Sequence, residues 1–257
     1  MKLHALSLAF VMAFSALSVG AQNTNMKVRG HASDPEVYFL NEGDLPNSLK
    51  LLPPPPDPMS VTFLVDRARY EWGKNLRNTE RGEQAYQDSK LGGDGVPRAF
   101  SEAFGVEISK ENTPEIYKLV VGMREDAGDL ATRDAKVHYM RTRPYIYFNE
   151  HTCNPEDEVN LSSNGSYPSG HTSIGWATAL VLTEINPDRQ DEILERGYEM
   201  GDSRVICGYH FQSDVDAGRL TGAVAVARLH ADEAFNKQLE KAKKEFARLQ
   251  KEGKVAK

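Results

Sequence analysis

With 257 residues, 40% of them hydrophobic and 26% charged, the chain has a soluble globular composition and enough apolar material for one sizeable core. A formal net charge of −6 and the lack of a basic run argue against a nucleic-acid polymer or an anionic membrane surface as partner. Any anionic ligand must therefore be met by a local cluster of cations.

The first segment has Lys2, an apolar stretch diluted by serines, and Val19-Gly20-Ala21 ahead of Gln22, the pattern of a cleaved export signal over residues 1–21. A membrane anchor is the rival reading, but the segment is short and no second apolar span follows it. Cleavage removes Lys2 and takes the net charge from −6 to −7. Export makes a disulfide between Cys153 and Cys207 possible, and we expect one; two buried thiols are the alternative.

Residues 22–50 show no sustained period and carry scattered Gly, Pro and Asn, so they read as a loosely ordered lead-in. "LLPPPPDPMS" (51–60) must be extended, because successive prolines fix φ and disfavour helix before them. It reads as a rigid strap against a domain surface.

The pattern then turns helical. Ser60 is a candidate cap for a helix repeating Phe63, Leu64, Ala68 and Trp72. Thr113, Pro114 and Glu115 form a start signal for a segment reaching Pro144, with a break near Gly128. From Thr172, one face collects Ile174, Ala177, Val181 and Ile185 until Pro187 ends it. A shorter helix follows over 188–204. Ser213 is the expected cap of the next, whose Gly218, Gly222 and Ala225 permit close helix contact. Phe235, Leu239, Ala242, Phe246 and Leu249 mark an amphipathic last helix. Nothing alternates with period two and no repeat is visible. The expected fold is all-α, a single-domain helical bundle over residues 51–250.

Three separated segments carry candidate chemistry. "KVHYMRTRP" holds Lys136 and Arg143, which on one helix would face the same way about 10 Å apart. A solvated basic face, with Arg133 and Arg141 nearby, is the plain alternative. "GSYPSGHT" puts His171 where a turn meets an apolar helix. "DSRVICGYHFQSD" holds Arg204, His210 and Asp214, and the last two would share a helical face if the backbone is helical there. Each segment alone is weak.

Together they resemble the three-part signature of the type-2 phosphatidic acid phosphatase and vanadium haloperoxidase superfamily, with every signature position matched. The fuller "GSYPSGHT" and the upstream "LPPPP" are similar to the bacterial class A non-specific acid phosphatases in particular, and the likeness runs from the proline strap to the last helix. It implies hydrolysis of small phosphate monoesters. Lys136, Arg143 and Arg204 would clamp the phosphate, with Ser169 and Gly170 adding a hydroxyl and amides at a helix start. His210 would attack phosphorus, Asp214 would orient its ring, and His171 would protonate the leaving oxygen and later activate water. No metal or other cofactor is implied, and a mildly acidic optimum is expected, since His171 must be charged while His210 is free. The resemblance further implies inhibition by vanadate, a homo-oligomer (dimer or larger), no membrane insertion, and a periplasmic or secreted location. Nucleotide hydrolysis or phosphoryl transfer to another alcohol could accompany the main reaction.

The rival readings are a vanadate-dependent haloperoxidase, which has longer insertions than this chain, and a metallophosphatase using His171, His210 and Asp214. Converging cations would repel a metal at such a site. Glu125, Asp126 and Asp129, upstream of Lys136, could border the site but are expected as helix-surface charges or as supports behind it. "NLS" and "NGS" at 160 and 164 fit glycosylation acceptors only in a eukaryotic secretory pathway.

Overall fold

The structure, a computed structural model, describes residues 38–256 and is all-α, with no strand among the described residues. The export signal expected in residues 1–21, and the first part of the lead-in, lie outside the described residues. The described part of the lead-in is more firmly held than its composition implied. Phe39 and Leu40 donate their backbone N–H groups to the Asp126 carboxylate at 2.8 and 3.1 Å, and Leu40 is buried in the main core. Helix α1 (Ser48–Leu51) follows, capped by Asn47. In the proline strap, Leu52 is buried beside Ala135, Tyr167 and Ala217, and the Tyr167 hydroxyl donates to the Pro53 carbonyl at 2.7 Å.

Helix α2 (Val61–Leu76) begins as expected, with the Ser60 hydroxyl accepting from the Phe63 amide at 3.3 Å. The stretch between α2 and Thr113 adds α3 (Glu80–Asp88) and α4 (Gly95–Phe104), neither of which was singled out from the pattern. Helix α5 (Pro114–Gly122) starts where expected, but Thr113 does not cap it. Its hydroxyl instead accepts from the Ser109 amide at 3.0 Å. The first amides of α5 go to the Glu245 carboxylate, from Glu115 at 3.1 Å and Ile116 at 2.9 Å. A tertiary partner has displaced the local one.

The expected break near Gly128 is a π-helical turn, Asp126–Leu130, followed by α6 (Arg133–Tyr139). Met140 then adopts a left-handed conformation with φ 41°, and α7 (Pro144–Tyr147) begins at the proline. Lys136 and Arg143 are therefore not on one helix. The residue before a proline is driven out of the α region, and Arg143 is extended at φ −74°, ψ 153°.

The remaining helices are α8 (Glu158–Ser162), α9 (Gly170–Ile185), α10 (Gln190–Ile206), α11 (Gln212–Leu229) and α12 (Glu233–Lys251). Helix α9 is the axis of the fold, packed along α10 and α11. Its expected face is buried, and so are Gly175, Thr178, Ala179 and Leu182 around it. Close contact with α11 depends on the small residues foreseen there. A Cβ on Gly218 would lie 2.6 Å from the Ser169 carbonyl oxygen, and one on Gly222 would lie 2.6 Å from that of Ser173. Ser213 is not the cap of α11, which begins one residue earlier; Asp214 accepts from the Phe211 amide at 2.8 Å. Helix α12 buries the five predicted apolar positions and packs against α5, with Phe246 meeting Phe104 at a ring separation of 5.1 Å.

Candidate active site

At the N-terminal end of α9 lies a cavity of about 270 Å³ whose lining includes Lys136, Arg143, Gly170, His171 and His210. The three segments marked in the sequence meet there. The first supplies its cations from the end of α6 and the residue before α7, the second from the start of α9. The third is the tight connection between α10 and α11, whose Gly208 takes φ 79°.

The cations are held with little contact to solvent. Lys136 donates from Nζ to the Gly165 carbonyl at 2.9 Å. Arg143 donates from Nε to the carbonyls of Leu161 and Asn164, both at 3.0 Å, and from Nη1 to that of Tyr209 at 3.2 Å. Arg204 lies over the Tyr209 ring, 4.0 Å from its centroid, and its Nε and Nη1 have no partner within the protein. Burial, followed by the neighbouring Arg143, pushes the Lys136 amine well below its ordinary range. Burial also lowers Arg143 and Arg204 to about 10. Cations gathered in so dry a place favour an anion between them.

Ser169 caps α9, accepting from the Thr172 amide at 3.3 Å and the Thr172 hydroxyl at 2.8 Å. Its own hydroxyl hydrogen remains available. Gly170 has a packing reason as well as the functional one expected. A Cβ there would stand 2.8 Å from the Gly128 carbonyl oxygen, so the π turn and the start of α9 can meet only at a glycine.

The two imidazoles line the same cavity but have different surroundings. His171 donates from Nε2 to the Ser89 carbonyl at 3.2 Å. A carbonyl can only accept, so Nδ1 is the nitrogen left to gain or lose a proton. Burial, then Arg204, holds this ring well below the usual histidine range, a shift that works against the charged form its expected role requires. His210 receives a hydrogen bond at Nε2 from Arg143 Nη1 at 3.1 Å, which leaves the ring's proton on Nδ1. Burial and the cations Arg143, Lys136 and Arg204 push its pKa well below the usual histidine range.

Asp214 is fully buried, in the first turn of α11. The direct bond expected from His210 is absent: Nδ1 and Asp214 Oδ2 are 3.6 Å apart. The reason is local, since His210 precedes the helix rather than sharing its face. Ser166 sits between them, with Oγ 2.6 Å from Asp214 Oδ2 and 3.3 Å from His210 Nδ1. The other carboxylate oxygen of Asp214 accepts from Arg141 Nη1 at 2.5 Å. Arg141 also donates to Asp66 at 2.8 Å, and Asp66 holds both the amide and the hydroxyl of Ser213. Arg141 is thus an interior link rather than part of a solvated basic face. Its place inside the first motif was a usable signal; Asp66 offered none.

Of the three acidic residues upstream of Lys136, Glu125 and Asp129 line the cavity rather than lying on a helix surface, paired with Arg124 and Arg133 respectively. Asp126 faces the other way, toward Phe39 and Leu40, and burial raises it to about 7. Cys153 and Cys207 form a disulfide that ties the loop before α8 to the end of α10, close to Arg204 and His210. Among the described residues, no helix is long and apolar enough to cross a membrane.

Comparisons with known proteins identify the family. A family model described as the PAP2 superfamily matches residues 121–237, which include all three segments. The chain is 60% identical over 217 residues to a non-specific acid phosphatase of Providencia stuartii, covering 84% of this chain and 88% of that protein. It is 46% identical over 200 residues to one of Salmonella typhimurium, covering 78% and 80%. An acid phosphatase of Zymomonas mobilis is 34% identical over 229 residues, covering 88% and 85%. The chain belongs to the PAP2 superfamily, in its group of bacterial non-specific acid phosphatases.

Proposed function

We propose that this enzyme is an exported acid phosphatase that hydrolyses small phosphate monoesters through a phosphohistidine at His210, without a metal. The observation that carries the reading is the contact of Arg143 Nη1 with His210 Nε2 at 3.1 Å. A guanidinium only donates, so Nε2 bears a lone pair, and it does so in a cavity lined by Lys136 and Arg143.

In the first half-reaction, Nε2 forms a bond to phosphorus as the ester P–O bond breaks. Nδ1 of His171, protonated, gives its proton to the leaving oxygen. In the second, His171 takes a proton from water, whose oxygen attacks phosphorus and releases His210. Lys136, Arg143 and Arg204 stabilise the charge on the equatorial oxygens, aided by Ser169 and the first amides of α9. The clamp grips phosphate and asks little of the leaving group, which supports a broad substrate range. Nucleotide hydrolysis and transfer to a second alcohol are side activities of the same intermediate. Vanadate, a mimic of the five-coordinate transition state, competes for the site. The pattern of residues 1–21 supports export to the periplasm or beyond, and the family resemblance supports a dimer or larger assembly.

The test is His210→Ala and His171→Ala, assayed on p-nitrophenyl phosphate in the presence of a chelator. The first is expected to lose turnover while retaining vanadate binding. The second is expected to keep some turnover on this good leaving group and lose it on alkyl phosphates. Turnover by His210→Ala near the wild-type rate, or wild-type activity abolished by the chelator and restored by a divalent ion, would overturn the reading.

A further inference from the structure

We propose that Ser166 is a positioning residue for the nucleophile, standing between His210 and Asp214 so that the carboxylate acts on the ring through its hydroxyl. This rests on the reading of His210 as the attacking group.

Ser166 has no exposure to solvent, and its backbone is pinned by the amide's hydrogen bond to the Arg141 carbonyl at 2.8 Å. The directions of its side-chain hydrogen bonds follow from which groups can donate and which can accept. Arg143 donates to Nε2 of His210, so the ring's proton is on Nδ1. Nδ1–H then points at Ser166, whose Oγ lies 3.3 Å away and whose backbone carbonyl also accepts from the ring. The hydroxyl hydrogen is free to point only at an acceptor, and Asp214 Oδ2 lies 2.6 Å away. The chain runs Nδ1–H to Oγ, then Oγ–H to Oδ2. The alternative, a direct contact, spans 3.6 Å and is too long for a hydrogen bond. Asp214 is itself immobilised by Arg141 and by the Phe211 amide, so it cannot approach the ring without giving those up.

The longer link is the one to histidine, and it has reason to tighten during the reaction. As Nε2 bonds to phosphorus the ring becomes cationic, and Nδ1–H becomes a stronger donor. Both hydrogen bonds gain strength and no proton changes hands. Ser166 Oγ is taken up between His210 and Asp214, so its contribution is to the ring's orientation and charge rather than to phosphate binding.

The experiment compares kcat and KM of Ser166→Ala, Ser166→Thr, Asp214→Asn and the S166A/D214N double variant on p-nitrophenyl phosphate, with vanadate affinity as a check on the site. Ser166→Ala is expected to lower kcat by roughly 10- to 100-fold, the loss of one hydrogen bond to a charged group, with KM and vanadate affinity little changed. Ser166→Thr, which keeps the hydroxyl, is expected to restore most of that rate. The double variant is expected to be no slower than the slower single, because both break one chain. A kcat for Ser166→Ala within twofold of wild type, or penalties that multiply in the double variant, would overturn the inference. Should Ser166→Ala fail to fold, Ser166→Cys, of similar shape but a poor donor, carries the same comparison. A dead His210→Ala beside a fast Ser166→Ala sinks only the role of Ser166; an active His210→Ala sinks the proposed function itself.

Discussion

His171 Nε2 lies 3.2 Å from the carbonyl oxygen of Ser89, the residue just beyond the end of α3. The bond fixes the tautomer, while burial and Arg204 push the ring's pKa well below its usual value. An imidazolium able to protonate a leaving oxygen therefore forms only as pH falls through that lowered pKa. A bound phosphate dianion adds negative charge and moves the pKa back up. We expect kcat/KM, which reports the free enzyme, to lose its alkaline limb at lower pH than kcat, which reports the complex. The depressed pKa of His210 keeps its Nε2 free to lower pH than an ordinary histidine would, which extends the acid limb of the profile. A kcat/KM maximum well above pH 8 would contradict these roles.

Arg141 spans two buried carboxylates, Asp66 and Asp214, with its guanidinium 4.4 Å from the centre of the Phe211 ring. Removing its charge leaves both acids without compensation in the interior. Arg141→Met is expected to cost about 3–5 kcal/mol in urea unfolding. Arg141→Lys keeps the charge but cannot fork between two acids, and is expected to recover only part. A melt unchanged by the methionine variant would show the pairing to be dispensable.

The disulfide closes a loop spanning 54 residues of sequence separation. In the chain-entropy model a loop of that size stabilises by about 4 kcal/mol. The Cys153→Ser/Cys207→Ser double variant is expected to melt earlier by a corresponding amount, and wild-type protein under reductant to match it. Equal melting curves with and without reductant would count against this.

Glu245 on α12 receives the first amides of α5, while Gln238 donates to the Glu115 carbonyl at 2.8 Å. Glu245→Ala is expected to destabilise by about 1–2 kcal/mol, as lost caps do, with kcat unchanged because the residue is remote from the cavity. Glu245→Gln, which keeps one acceptor oxygen, is expected to lose less. The two denaturation midpoints check the order.

The site was more legible in the sequence than its supports were. No single motif identified Lys136, Arg143, His171, Arg204, His210 or Asp214; the three short motifs taken together, through their likeness to a known family, singled them out. Their scaffolding depends on long-range partners. Asp66 meets Arg141 across 75 residues, and Glu245 meets Glu115 across 130. Local rules failed where such partners compete. Ser213 caps nothing because Asp66 takes its hydroxyl, and Thr113 is replaced by Glu245. Asp214, read as a helical neighbour of His210, reaches back to cap its own helix and meets the ring through Ser166. Helix α12 was legible because one buried face dominates its pattern, and α9 because its run is apolar nearly throughout. The face read for α2 was not the buried one, since Leu64 and Ala68 are exposed while Phe63, Asp66, Tyr70 and Gly73 are buried. Helices α3 and α4 were not read at all.

The unpartnered Nε and Nη1 of Arg204 have a consequence for how the protein is handled. Interior donors left without acceptors are a debt of the folded state, and an oxyanion is the natural creditor. Inorganic phosphate should therefore raise the melting temperature in step with its concentration, following RT ln(1 + [L]/Kd). Arg204→Lys, with a single ammonium in place of the fork, should flatten that rise. Material purified in phosphate buffer will carry its own product and look sturdier and slower than it is.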